Sequence, residues 1–312
     1  MFRFILFYSV FHLCSATDAP IIGILAQATD SYDADTYIAA SYVKFVESAG
    51  GRVLPIWINQ PADYYERVVS YTNGVLFPGG DSSFETPGGY GETARTIYQL
   101  AQAANDQGRF FPIWGTCLGF EVLPFAELGK DITVNCSIPD DSYTLDFAGD
   151  FRKSKLYDNL PSDLLKILLT KNVTYNAHSY CLTEKTLRDN GLDMDWHILT
   201  TNTDTNGLKF ISSMENVRYP FYGIQFHPEK NGFEFKDNQG FAHSSDSVRV
   251  MWYFSNFFIS LARKNVNKFP SRELLVKSLI YNWCPQFTGL DDKYFFQIYS
   301  FAKTDYSKHL LL

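Results

Sequence analysis

The chain of 312 residues is short of cysteine, of positive charge and of long apolar runs, and each shortage removes a class of protein. Five cysteines at this length do not make a disulfide-dense scaffold, so a buried core must carry the stability. No Cys-x-x-Cys and no His-Glu-x-x-His spacing occurs, so no clustered metal site is expected. A formal net charge of −7 leaves no basic excess to neutralise phosphates, which argues against nucleic-acid binding. Past the N-terminal region, no stretch reaches about 18 uninterrupted apolar residues, so no membrane span is expected. Internal repeats, low-complexity tracts and Pro/Gly-rich linkers are also missing. One domain is the simplest organisation.

What is present is enough for a full core: 46% hydrophobic and 20% charged residues. The N-terminus reads as a signal peptide over residues 1–16. Arg3 supplies the charged region, Phe4 to Leu13 the apolar run, and Cys14-Ser15-Ala16 the small-residue cleavage site. The mature domain is then residues 17–312, with a secreted, lysosomal or vacuolar destination. Two Asn-x-Ser/Thr sequons, at Asn135 and Asn172, suit that route as glycosylation sites. Cys14 leaves with the leader. With Cys117 kept free, Cys136, Cys181 and Cys284 allow at most one intramolecular pair, and spacing does not choose it.

Strand and helix signals alternate through the first half. Ile21 to Ala26, Val53 to Ile58, Gly74 to Phe77 and Phe110 to Trp114 read as strands. Tyr37 to Ala49 has helical spacing and stops at Gly50-Gly51. Helices are also expected over Glu92 to Asn105 and from the turn after Trp114 to Leu128. This alternation predicts an α/β fold: a doubly wound, mostly parallel sheet with helices on both faces. The second half is richer in strands, near Thr174 and over Trp196–Thr200, Phe210–Ser213 and Tyr222–Phe226. A long amphipathic helix is expected over Val248–Arg263. Beyond Asn265 the pattern weakens: Glu273 to Tyr281 reads as a helix, and the aromatic tail from Tyr294 is expected to lie on the surface.

The strongest motif is Trp114-Gly115-Thr116-Cys117-Leu118-Gly119-Phe120-Glu121. It has the spacing of a nucleophile elbow with Cys in place of Ser. Its glycines permit a sharp strand-to-helix turn that lifts Cys117 above the sheet, at a helix N-terminus that favours thiolate. A lone cysteine would more simply be structural; this context makes it a nucleophile. Such a thiol needs a base. His227, in Phe226-His227-Pro228-Glu229, ends an expected strand, and Glu229 two residues on can face the same side and orient the imidazole. Pairing with cationic His227 is expected to lower the Cys117 pKa, while thiolate and Glu229 raise that of His227. Pro78-Gly79-Gly80-Asp81 follows a strand at the edge where such sheets bind ligands. The Gly80 and Leu118 N–H groups are candidates for an oxyanion hole.

Together these pieces, in this chain order, resemble the class I glutamine amidotransferase-like superfamily. Tyr37 to Lys44, Leu76 to Gly80, Trp114 to Glu121 and His227 to Asn231 narrow the resemblance to the gamma-glutamyl hydrolase family, from about Ile21 to Asn265. The resemblance implies a cysteine peptidase that removes γ-linked glutamates from folylpoly-γ-glutamates through a γ-glutamyl thioester, with no metal or organic cofactor. It also implies that Cys117 attacks, His227 serves as base and then acid, and Glu229 orients His227. His178 matches a second histidine near the nucleophile. Tyr37 and Glu121 match positions lining a glutamyl pocket. The expected partner is the small-molecule substrate, and a homodimer is an open option for assembly. A glutaminase subunit of an ammonia-transferring synthetase is disfavoured for want of a second domain. A binding protein that has lost catalysis is disfavoured by the intact Cys117, His227 and Glu229.

Overall fold

The computed structural model describes residues 17–30, 32–236, 239–290 and 294–309. The proposed leader, residues 1–16, lies outside them.

Five parallel strands build the part of the sheet that positions the site: β1 (Ile21–Leu25), β2 (Arg52–Ile56), β3 (Gly74–Phe77), β4 (Ile113–Thr116) and, from late in the chain, β7 (Phe221–Ile224). Two long strands, β5 (Trp196–Thr203) and β6 (Lys209–Asn216), extend it antiparallel, and the short Asp146–Phe147 strand closes that edge. The order is β2-β1-β3-β4-β7-β6-β5 and then Asp146–Phe147. The parallel strands are buried along nearly their whole length, as strands covered on both faces must be.

Helices cover both faces, and β4 shows it residue by residue. The Trp114 ring meets Phe45 of α1 (Ala40–Ser48) at 6.5 Å, and Phe254 and Phe258 of α5 (Ser245–Ala262) at 6.2 and 5.8 Å. The next residue, Gly115, faces the other way. A Cβ there would sit 2.1 Å from the Gly119 carbonyl oxygen of α4 (Leu118–Leu128). A Cβ on Gly119 would in turn sit 1.8 Å from the Phe77 oxygen. Both glycines are therefore fixed by the closeness of α4 to the sheet. On this second face α4 packs against α3 (Tyr90–Asp106), and α3 against α2 (Ala62–Tyr71). Among the described residues no helix is long and apolar enough to cross a membrane.

Three segments differ from expectation. Helix α2 was not foreseen, although its buried Tyr64, Tyr65, Val68 and Val69 fall one helical turn apart. Tyr37 to Ala39 belong to a strand, Thr36–Ala39, and the helix begins only at Ala40. The tail is not a surface appendage. Gln297–Phe301 pairs antiparallel with Thr36–Ala39, and Phe295, Ile298 and Phe301 are buried. Local periodicity cannot reveal a strand whose partner lies some 260 residues away.

Candidate active site

Cys117 sits between β4 and α4 with φ +53° and ψ −114°, one of two non-glycine residues with positive φ among the described residues. A side chain there is strained, and the surroundings over-determine it. Its N–H donates to the Ile224 carbonyl at 2.9 Å, and its own carbonyl accepts from Phe120 and Glu121 at 2.8 and 3.0 Å. The backbone is thus held by the neighbouring strand on one side and the helix on the other.

The loop after β3 brings the other groups to this sulfur. A Cβ added at Gly79 would lie 2.7 Å from the Tyr42 hydroxyl, 2.8 Å from His227 Cε1 and 3.0 Å from Cys117 Cβ. Three side chains therefore converge on the one residue that lacks one. His227 is 4% exposed; its N–H donates to the Tyr175 carbonyl at 2.8 Å. Its Nδ1 lies 2.7 Å from Glu229 Oε1, and Glu229 is fully buried. A carboxylate only accepts, so Nδ1 carries the proton and donates it, leaving Nε2 as the free base position.

Tyr42, on α1, is a site residue that sequence reading missed. Its hydroxyl accepts the Gly79 N–H at 2.8 Å and lies 3.2 Å from His227 Nδ1. With Nδ1–H given to Glu229, the Tyr42 hydroxyl hydrogen turns to the same carboxylate. Burial, with Glu229 and Cys117 nearby, pushes its pKa well above the usual tyrosine value and keeps the proton in place. The available signal was its spacing, on the face of α1 that also buries Val43, Phe45 and Val46.

The remaining expected residues lie around this cluster. The Leu118 N–H points to the Cys117 sulfur, and the Gly80 N–H has no acceptor among the described residues. Gln27 braces the loop, donating to the Gly79 carbonyl at 2.8 Å. Tyr37 lies beside rather than in the cluster. It lines a neighbouring cleft of about 830 Å³ with Tyr32, Asp81, Tyr90 and Tyr294. Glu121 is buried one turn behind Cys117, where Oε1 accepts from Gln225 at 2.8 Å. Burial pushes its pKa up to about 8.

His178 reaches the region just before Tyr180–Cys181, which pairs antiparallel with Val134–Asn135 from 45 residues earlier in the chain. Its Nδ1 donates to the Tyr180 carbonyl at 2.9 Å, and Nε2 faces Asn176 Oδ1 at 3.0 Å. Burial first, and His227 further off, lower its pKa to about 4. Among the described residues Cys136, His178 and Cys181 form one cluster of metal-ligating types, but the two cysteines are joined in a disulfide and offer no thiolate. That bond settles the pairing left open by spacing; Cys284 is free and exposed. Asn135 and Asn172 are both exposed. A larger groove of about 1630 Å³ runs along the antiparallel strands and includes none of these site residues.

The electrostatics correct one expectation. Burial pushes the Cys117 thiol up, Glu121 adds to this, and Lys230 and the Leu118 N–H only oppose it. Burial likewise pushes His227 below its ordinary value of 6.5, against the pull of Glu229. In a closed site the charged forms lose more solvation than the helix N-terminus returns, so the resting pair is thiol and neutral imidazole.

A strained cysteine on a strand-to-helix elbow, with a carboxylate-anchored histidine across a glycine loop, is the arrangement of a cysteine hydrolase. Comparison with known proteins narrows this. The Peptidase C26 family model matches residues 20–229, which include Cys117, His227 and Glu229. Gamma-glutamyl hydrolase of Rattus norvegicus is 41% identical over 276 residues, 86% of this chain and 86% of that protein. The Homo sapiens gamma-glutamyl hydrolase is 39% identical over 275 residues, again 86% of each. Gamma-glutamyl hydrolase 1 of Arabidopsis thaliana is 33% identical over 306 residues, 93% of this chain and 86% of that protein. The chain belongs to the Peptidase C26 family and is a hydrolase of the cysteine type.

Proposed function

We propose that this protein hydrolyses the γ-glutamyl bonds of folylpoly-γ-glutamates, with Cys117 as nucleophile. The observation that carries the reading is the convergence of Cys117, His227 and Tyr42 on Gly79, with Glu229 behind His227. The similarity to gamma-glutamyl hydrolases supports the bond that is cleaved.

The steps follow from proton positions. Nε2 of His227 takes the Cys117 proton as sulfur attacks the γ-carbonyl carbon. The imidazolium that forms is stabilised by Glu229, whose buried charge lies 2.7 Å from Nδ1. Negative charge on the carbonyl oxygen is taken by the Gly80 and Leu118 N–H groups. His227 then returns the proton to the leaving amine, giving a γ-glutamyl thioester. Water, deprotonated by the same histidine, releases the acid and the thiol. Glu229 and Tyr42 position; Cys117 and His227 react. Incubating the enzyme with folate pentaglutamate and following products by mass spectrometry tests this. Shortened folates and free glutamate or γ-glutamyl peptides are expected. A substrate left untouched by folded enzyme whose Cys117 thiol is free, or turnover that persists once iodoacetamide has alkylated Cys117, would refute it.

The secretory destination belongs to the same proposal. The N-terminal pattern, the two exposed sequons and a disulfide suit an oxidising compartment. N-terminal sequencing of native material is expected to begin at or near Thr17, and an intact Met1 would overturn it.

A further inference from the structure

We propose that Lys230 is a specificity-determining residue, its ammonium taking the α-carboxylate of the glutamyl residue that carries the scissile γ-carbonyl. This rests on the γ-glutamyl reading above and deepens it.

Lys230 stands one residue past the span matched by the family model and opens the short helix Lys230–Phe233. It is 6% exposed, an uncommon place for a lysine. Its ammonium lies 5.1 Å from the ring centroid of Tyr175 and 5.5 Å from those of Phe241 and Phe295. Aromatic faces attract a cation but offer no hydrogen-bond acceptor, and an ammonium has three protons to give. No carboxylate among the described residues makes an ion pair with it. Of the two buried carboxylates nearby, Glu229 Oε1 takes His227 and Glu234 Oε2 takes the Phe296 N–H; the other oxygen of each has no hydrogen-bond partner, so neither takes a proton from the Lys230 ammonium. Lys44 on α1 donates to Gln297 at 2.5 Å. Lys230 is therefore a buried cation whose donors are unspent.

It is also in the right place. Its charge draws down the pKa of both the Cys117 thiol and the His227 imidazole, so it acts on both reacting groups. Its cage is continuous with the site. The Tyr175 carbonyl accepts the His227 N–H, and the Phe295 ring packs on Tyr37, which lines the adjacent cleft.

The substrate supplies what the ammonium lacks. In a γ-linked glutamate the α-carboxylate lies roughly 5 Å from the γ-carbonyl carbon along an extended side chain. An α-linked peptide of uncharged residues has no carboxylate there, whereas an α-linked glutamate offers its side-chain carboxylate at the same remove but with its amino group next to the scissile carbonyl. A cation beside the reacting groups would thus require a free carboxylate on the acyl side of the scissile bond, and the aromatic rings around it lower the solvation of its charge.

The test uses p-aminobenzoyl-γ-glutamyl-γ-glutamate and its analogue with the first α-carboxyl converted to carboxamide. For the wild-type enzyme, kcat/KM is expected to favour the acid by about 100-fold, the scale of a buried charge pair. In Lys230→Met the acid-to-amide ratio should fall close to one, while Lys230→Arg should keep most of it. A ratio that survives in Lys230→Met, or equal wild-type rates on both peptides, overturns the Lys230 assignment and leaves the γ-glutamyl reading standing. Failure to cleave either peptide takes both down. Should Lys230→Met not fold, Lys230→Arg decides on KM: a rise for the acid alone supports the assignment, and a shift in both peptides or in neither overturns it.

Discussion

The Tyr42 hydroxyl lies 3.2 Å from Nδ1 of His227 while accepting the Gly79 N–H at 2.8 Å. One oxygen therefore ties the glycine loop to the histidine–glutamate pair. Tyr42→Phe removes both links and keeps the ring. The expected result is a loss of about 10-fold or more in kcat, with the thermal midpoint little changed, since positioning partners of this kind carry 10–100-fold effects. A variant with full kcat would show that the loop and the pair are held by other contacts.

Replacing the reacting groups should separate their roles. Cys117→Ala is expected to abolish turnover with the fold intact, and His227→Ala to be nearly as damaging. Glu229→Gln keeps the shape but withdraws a charge, so its loss should be smaller. Iodoacetamide should inactivate at a single residue, with substrate protecting. Inactivation mapped to Cys284 alone, or substantial activity in Cys117→Ala, would refute the assignment.

The pH profile should be a wide bell. Thiol with imidazole carries the same number of protons as thiolate with imidazolium, so one titration window serves either form of the pair. Burial lowers His227, so activity should fall on acidification only below its ordinary 6.5. Burial raises Cys117, so the alkaline limb should lie above the ordinary thiol value of 9.0. Measuring kcat/KM against pH checks both limbs. An acid limb above 6.5 would mean that Glu229, not burial, governs the histidine.

Stability should respond to Glu121. Its carboxyl is raised from 4.5 to about 8 in the fold. The native state holds that proton more tightly than the unfolded chain does. The stabilisation is therefore full below pH 4.5 and is lost as pH rises through about 8. Glu121→Gln, which can still accept from Gln225, should flatten this dependence and raise the thermal midpoint at alkaline pH by about 2–4 °C per kcal/mol regained. An unchanged slope would place the titration elsewhere.

The Cys136–Cys181 bond closes a chain separation of 45 residues and staples the two-stranded ribbon beside His178. Cys181→Ser should lower the thermal midpoint, by an amount equivalent to about 2–4 kcal/mol. Reductant should do the same to the wild type and nothing further to the variant, as scanning calorimetry would show.

Much of this was legible in the chain. The Gly74–Phe77 strand, the elbow and the stop at Gly129 are local events, each written in a few adjacent residues. So is the His227–Glu229 pair, two positions apart on extended chain. What escaped depends on distant contacts. Tyr37 has helical neighbours in sequence but strand partners in Ser300 and Gln27, so the helical apolar period overruns the helix by one turn. Tyr42 looks like any buried aromatic of α1 until the Gly79 loop is folded over it. The direction of the Cys117 and His227 shifts turns on burial, which motif spacing does not report.

The pairing of Gln297–Phe301 with Thr36–Ala39 bears on synthesis as well as on architecture. The strand that leads directly into the Tyr42 helix gains one edge partner only when the ribosome has released the chain past Phe301. The central sheet can assemble earlier, from strands complete by Ile224. The nascent enzyme thus passes through a stage in which nucleophile and base are both made but the element carrying Tyr42 is still unclamped. The brace on the Tyr42 element is thereby tied to one of the last strands to be made, so the site is fully supported only in the nearly finished chain.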